Sequence, residues 1–140
     1  MATLKIDGLD ELANDFASLA ALPESVTDDM LNAAADVVVR AQQINTARTW
    51  HGPYATGTTS RSIKKGSIKK SGMEKSITIS PKGKNSRKAE NAVVAFVNER
   101  GRRGRQPARP AIDPANRQAE GKAVDTAEKV YHKYLDSKNL

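Results

Sequence analysis

One stretch constrains this chain more than any other. Between Pro23 and a Gly-, Pro- and Thr-rich segment that begins at residue 49, apolar side chains recur at Met30, Leu31, Ala34, Val37, Val38, Ala41 and Ile44. That i, i+3, i+4, i+7 spacing is the pattern of one long amphipathic helix. Ser25 with Asp28 three residues on resembles a capping box, and Thr27 is a rival N-cap. The helix is expected to end near Ala47 or Arg48. Small residues at Ala33, Ala34, Ala35 and Ala41 permit close approach by a neighbouring element. A stripe of this length has to be covered by a second layer, and the rest of the chain must supply it.

Candidates for that layer are spread along the chain. Residues 2–7 suit a short strand with Leu4 and Ile6 on one face. Gly8 ends it. Leu9, Leu12, Phe16 and Leu19 then follow helical spacing, with Asp10 and Glu11 where a helix N-terminus favours acids. Residues 49–60 form a loop. Ile63 and Ile68 share a face only if Gly66 marks a bulge. Lys75, Ile77 and Ile79 alternate with Ser76, Thr78 and Ser80, which predicts a half-exposed antiparallel strand. Residues 81–90 are a basic, turn-rich loop. The run AVVAFV at 92–97 is expected to be a central strand buried on both faces, with Val94 and Phe96 in the core. Residues 99–110 carry five arginines, two glycines and two prolines and suit irregular structure. A last helix begins with Pro110 or Pro114 in its first turn and Asp113 as N-cap. It carries Ala115, Ala119, Ala123, Ala127, Val130 and Tyr134 as one stripe, widened by Val124, Tyr131 and Leu135. Gly121 weakens its middle by roughly 1 kcal/mol relative to Ala. The expected class is α+β: a small antiparallel sheet packed against the long N-terminal-half helix and the C-terminal helix, with long basic loops. One domain, 1–140, divides into an acidic strand and helices (1–48), basic strands and loops (49–110) and the C-terminal helix (111–140).

Charge follows the same division. The chain has 140 residues and a formal net charge of +7. Residues 1–40 hold two bases and eight acids, a net −6, whereas residues 48–109 hold sixteen bases and three acids, a net +13. Residues 110–140 balance. Such asymmetry suggests an anionic partner or head-to-tail contact between copies. The absence of Cys excludes disulfides, thiol nucleophiles and thiolate zinc sites. No apolar run approaches the ~20 residues that span a bilayer. The acidic start offers no apolar leader, so neither a membrane partner nor secretion is expected, and a reducing, cytoplasmic setting is. His51 and His132 have no partner at metal-ligand spacing. No nucleophile elbow or phosphate-binding glycine loop appears. Neither an enzyme nor a cofactor is expected. Lys64, Lys65, Lys69 and Lys70, with Arg102, Arg103 and Arg105 beyond them, suit contact with backbone phosphate. Too few aromatics are interleaved for base stacking. A non-specific nucleic-acid-binding basic protein is therefore one reading.

The order of short motifs supports another. Ile6-Asp7-Gly8-Leu9-Asp10-Glu11-Leu12 opens the chain, and the Ala- and Val-rich helix at 28–47 follows. Then come Pro53-Tyr54-Ala55-Thr56-Gly57-Thr58-Thr59-Ser60-Arg61-Ser62-Ile63, Glu99-Arg100-Gly101, and Gln106-Pro107-Ala108-Arg109-Pro110-Ala111-Ile112-Asp113-Pro114-Ala115. In this order the chain resembles the neck and tail-completion proteins of long-tailed bacteriophages, the group that includes minor tail protein Z-like proteins. Two positions depart from that pattern: Thr58 and Thr59 stand where Leu is usual, and Ala111 stands where an aromatic is usual.

The resemblance implies a non-catalytic virion protein at the head–tail junction, assembled in the bacterial host cytoplasm. It implies a homo-oligomeric ring, expected to be hexameric, between a head connector or head-completion protein and a tail terminator or tail tube protein. Double-stranded DNA would pass through its channel. In that setting the lysines and arginines named above become DNA- or lumen-facing candidates. Trp50, Tyr54, Arg100 and Arg109 become candidates for subunit or partner contact, and Val94, Phe96, Pro107 and Pro110 for structural roles.

Overall fold

The computed structural model describes residues 3–6, 23–51, 56–72 and 74–138. The expected apolar helix at 9–19 and Tyr54 lie outside them. Along the chain the elements are strand β1 (Thr3–Ile6), helix α1 (Glu24–Thr49), the short helix α2 (Thr58–Arg61), and strands β2 (Ile63–Lys65), β3 (Lys69–Ser71), β4 (Glu74–Ile77) and β5 (Ile79–Pro81). Helices α3 (Asn91–Arg100) and α4 (Ile112–Ser137) complete the fold. The class is α+β.

Two helices of 26 residues each, α1 and α4, lie against one another and form the framework. Alanine makes their contact possible. Ala34 and Ala35 on α1 and Ala115, Ala119, Ala123 and Ala127 on α4 are all buried. Without long side chains between them, the two helix surfaces approach closely. The other side of α1 meets the strands. Val26, Met30, Leu31 and Val38 pack with Ile63, Ile77 and Ile79 into the same core.

The strands form two small sheets. One has the order β1-β4-β3, with β3 antiparallel and β1 parallel to β4; the other pairs β2 with β5 antiparallel. The alternating run 75–79 is split at Thr78 into two strands, one in each sheet, yet Lys75, Ile77 and Ile79 all remain buried. Gly66 donates its N–H to the Thr78 carbonyl at 2.8 Å, which bends the chain so that Ile63 and Ile68 reach the same core.

Helix starts differ from expectation in an instructive way. The long helix α1 begins at Glu24, with Pro23 in the cap position and no side-chain cap. Thr27 lies inside the helix and donates to the Glu24 carbonyl at 2.9 Å, and Asp28 turns to a lysine on the sheet. Neither Ser25 nor Thr27 caps. Helix α4 begins at Ile112, with Pro114 in its first turn, and its cap comes from elsewhere in the chain.

The largest correction concerns residues 92–97. They are not a buried strand but part of helix α3. A short apolar run fits either state, and packing decides between them. Here Asn91 and Ala95, one turn apart, are buried, with Ala95 set against Trp50 and Ala111. The Asn91 amide donates to the Lys82 carbonyl at 2.9 Å. At 3.6 residues per turn, Ala92, Val93, Phe96, Val97 and Arg100 share the opposite face. Phe96 is 65% exposed and Val93 57% exposed, so Phe96 is not a core residue. Val94 is only half-buried.

Candidate functional site

The arginine-rich segment after α3 is a tight, ordered turn. Gly101 ends the helix with φ of +79°. A Cβ there would fall 2.6 Å from the Ala108 nitrogen and 2.8 Å from the Gln106 carbonyl oxygen, so the close crossing of the two chain segments requires glycine. The Arg102 N–H donates to the Gln106 carbonyl at 2.7 Å, and the Gln106 N–H donates back to the Arg102 carbonyl at 2.9 Å. Gly104, with φ of +72°, turns the tip. Arg102, Arg103 and Arg105 are exposed. Together with Arg100, Gln106 and Pro107 they surround an open depression of about 530 Å³.

The base of this turn is tied down from three directions. The Asn98 carbonyl accepts from the Arg109 N–H at 2.8 Å. The Asn98 side-chain oxygen accepts from the Arg109 guanidinium and the Gln106 amide, each at 3.0 Å. The Trp50 indole N–H, at the end of α1, donates to the Arg109 carbonyl at 2.7 Å. Glu99 supplies the missing cap of α4. One of its oxygens accepts from the N–H groups of Ala111 (2.7 Å) and Ile112 (2.9 Å), and the other from Asp113 at 3.1 Å. A carboxylate at this end satisfies orphan donors and opposes the positive end of the helix dipole. Asn45 donates to the Ala111 carbonyl at 2.7 Å, and Gln42 to the Asn116 side chain at 2.7 Å. The residues of the Glu-Arg-Gly and Pro-Ala-Arg-Pro segments thus meet in one knot that aims the arginine turn.

This placement changes several site expectations. Trp50 is buried and its indole N–H is used inside the subunit, so it is an internal anchor and not a contact surface. Arg109 is half-buried and likewise engaged internally by Asn98. Arg100 remains exposed, and so do Pro107 and Pro110, which flank the crossing of the two segments.

The lysines divide as well. Lys64 and Lys69 are exposed. Lys65 pairs with Asp36 at 2.9 Å, and Lys70 pairs with Glu24. Buried Lys75 bonds Asp28 at 2.7 Å and the Thr27 hydroxyl at 2.9 Å. The hydrogen bond from Lys70, reinforced by the charges of Lys70 and Lys75, holds the Glu24 carboxyl below its ordinary value. Lys65 and Lys70 therefore pair at the surface with acids of α1. Part of the acidic-to-basic asymmetry along the chain is matched inside the subunit. The ion pairs among the described residues do not include Arg100, Arg102, Arg103 or Arg105.

Asn98 and the capping role of Glu99 escaped sequence reasoning. Their signal was a glycine fixed two residues after an acid, which has structural meaning only once Gly101 is known to cross the Gln106–Ala108 backbone. No protein-family profile, curated protein or solved structure matches the chain.

Proposed function

We propose that this chain is a structural subunit of the head–tail junction of a long-tailed bacteriophage. In this reading copies assemble into a ring that completes or joins the tail, and the arginine turn faces the DNA that passes through. The observation that carries this reading is the knot around Asn98 and Glu99. The residues on which the resemblance rests, Glu99, Gly101 and Arg109, are those that hold a turn of exposed arginines in one orientation. A ring needs that property, because every copy must present the same charges to a common axis. Exposed arginines would attract duplex phosphate without choosing sequence, which suits a channel through which a whole genome passes.

Labelled or reconstructed virions test the assignment. The chain is expected as a ring at the head-proximal end of the tail; its recovery only outside particles overturns the assignment.

The same arginine turn favours a second reading, a free-standing non-specific DNA-binding protein. Titration of duplex DNA with the isolated chain at two salt concentrations separates the two. A single subunit that offers three or four arginines releases few counterions, with a salt slope of about −3. Weak binding of that kind fits the ring reading. Tight binding by the monomer, lost in the combined Arg102→Ala, Arg103→Ala, Arg105→Ala variant, favours the second reading.

A further inference from the structure

The loop before α3 is tied internally much as the arginine turn after it is. Asn85 organises this loop. Its side-chain oxygen accepts from the Arg87 N–H at 2.9 Å and from the Ala89 N–H at 3.0 Å. The Asn85 N–H donates to the Ala89 carbonyl at 2.8 Å, and the Lys88 N–H donates to the Asn85 carbonyl at 3.0 Å. Lys88 is held at φ of +63°, a left-handed conformation that residues with a β-carbon seldom take. The Asn91 N–H, at the start of α3, donates to the Gly83 carbonyl at 3.0 Å and fastens the loop to the helix. Lys82, Lys84, Arg87 and Lys88 are all exposed, and the ion pairs among the described residues include none of them.

The two basic turns share one flank of α3. Asn85 lines a small cavity of about 120 Å³ with Val94 and Asn98. Asn98 in turn accepts from the Gln106 amide at the base of the arginine turn. Val93 and Phe96 lie on another face of the helix, so they do not interrupt this flank. With 10 residues, α3 spaces the turns by about 15 Å. Acids offset little of the charge. Residues 82–105 hold eight bases and only Glu90 and Glu99 as acids, and the Glu99 carboxylate is turned to the N-terminus of α4.

We propose that the Asn85 turn is a second phosphate-contact site, and that the two turns engage the backbone of one DNA duplex together. The inference rests on the reading that the arginine turn meets duplex DNA. Spacing and composition both favour a duplex. Its phosphate rows border a major groove about 12 Å wide, so turns about 15 Å apart can meet one strand each. Neither turn carries an aromatic residue, so neither offers a stacking surface to unpaired bases. Two fixed turns also meet rigid phosphate rows at little ordering cost, an advantage that a flexible polyanion would not share.

Titration of the full chain with a duplex of about 20 base pairs across a salt series tests this. The arginine turn alone accounts for a slope of about −3, and three further contacts from Lys84, Arg87 and Lys88 steepen it to about −5. The combined Lys84→Gln, Arg87→Gln, Lys88→Gln variant is expected to return the slope to about −3, with its melting temperature unchanged. A parent slope of about −3, or a slope that the glutamine variant leaves unchanged, overturns the proposal. Asn85→Ala keeps every charge but frees the turn. It is expected to bind several-fold more weakly at the parent slope; unchanged affinity means that a loose cluster of charges suffices, and overturns the fixed site. Binding of the parent to phosphatidylglycerol vesicles but not to the duplex assigns the turns to a membrane surface, and also overturns it.

If the glutamine variant flattens the slope but the chain is absent from virions, the two-turn contact stands and the head–tail assignment falls. If virions contain the ring but the glutamine variant leaves the slope unchanged, the assignment stands and the second contact falls.

Discussion

Gly101 shows how much a single backbone position can hold. Its positive φ and its contact with the Gln106–Ala108 backbone both exclude a β-carbon. Gly101→Ala is expected to cost about 2 kcal/mol or more, because the nearest atoms belong to backbone and cannot swing aside. Urea denaturation measures that loss, and amide exchange should show early opening of the arginine turn. The buried Lys75 carries a different lesson. Its ammonium is held by Asp28, the Thr27 hydroxyl and the Glu24 carbonyl. Removal of the acid strands a buried charge, whereas removal of the lysine strands little. Asp28→Ala is expected to destabilise by roughly 1–3 kcal/mol, and Lys75→Met by less. Equal losses in a chemical-denaturation series would contradict this asymmetry. Neither residue announced its role in the sequence. The alternation placed Lys75 beside Ile77 and Ile79 on one face, but an acid 47 positions away had to be folded against it before that placement made sense.

At the scale of elements, legibility followed periodicity. The stripes of α1 and α4 are long enough for a 3.6-residue repeat to be unmistakable, and their alanines meet as their spacing implies. The run 92–97 is too short and too uniformly apolar to display any period. Its helical state is set by Trp50 and Ala111, which are distant in sequence, and by the bond from the adjacent Asn91 side chain to the Lys82 carbonyl. One consequence is that an acid at position 94 does not enter a sheet core, since Val94 is half-buried on a helix. In α4 the weak point is open to repair. Gly121 is exposed, has no neighbour that a β-carbon would meet, and sits in the interior of the helix. Gly121→Ala is expected to stabilise the subunit by about 0.5–1 kcal/mol, read as a higher urea midpoint at unchanged slope.

For the whole molecule, charge was the feature most visible in composition and least interpretable from it. A basic middle opposite an acidic N-terminal part looked like a meeting of two copies. Part of it is a meeting of α1 with its own strands, through Lys65–Asp36, Lys70–Glu24 and Lys75–Asp28. What is left for partners is exposed in the arginine turn and, equally, at Lys82, Lys84, Arg87 and Lys88 of the loop before α3. The internal pairs have a pH signature. The folded state holds Glu24 below its ordinary value, so its contribution to stability is complete above the usual carboxylate range and is lost as pH falls through the lowered value. Glu24→Gln should therefore be less stable than the parent near pH 7, and the gap should close as pH falls below the lowered value. Both partners are exposed, so the difference should be small and should shrink with added salt. A gap that persists in acid would point to packing and not to charge.

The parallel pairing of β1 with β4 joins residues about seventy positions apart, Thr3 with Glu74. During synthesis β1 therefore has no partner until β4 has been made. It cannot nucleate the fold, and it adds to one edge of a sheet that β3 and β4 can start as a hairpin. Loop closure across that distance must come before any contact repays it, which places the docking of β1 late in folding. During synthesis β1 would thus wait for β4 to give it an edge to join.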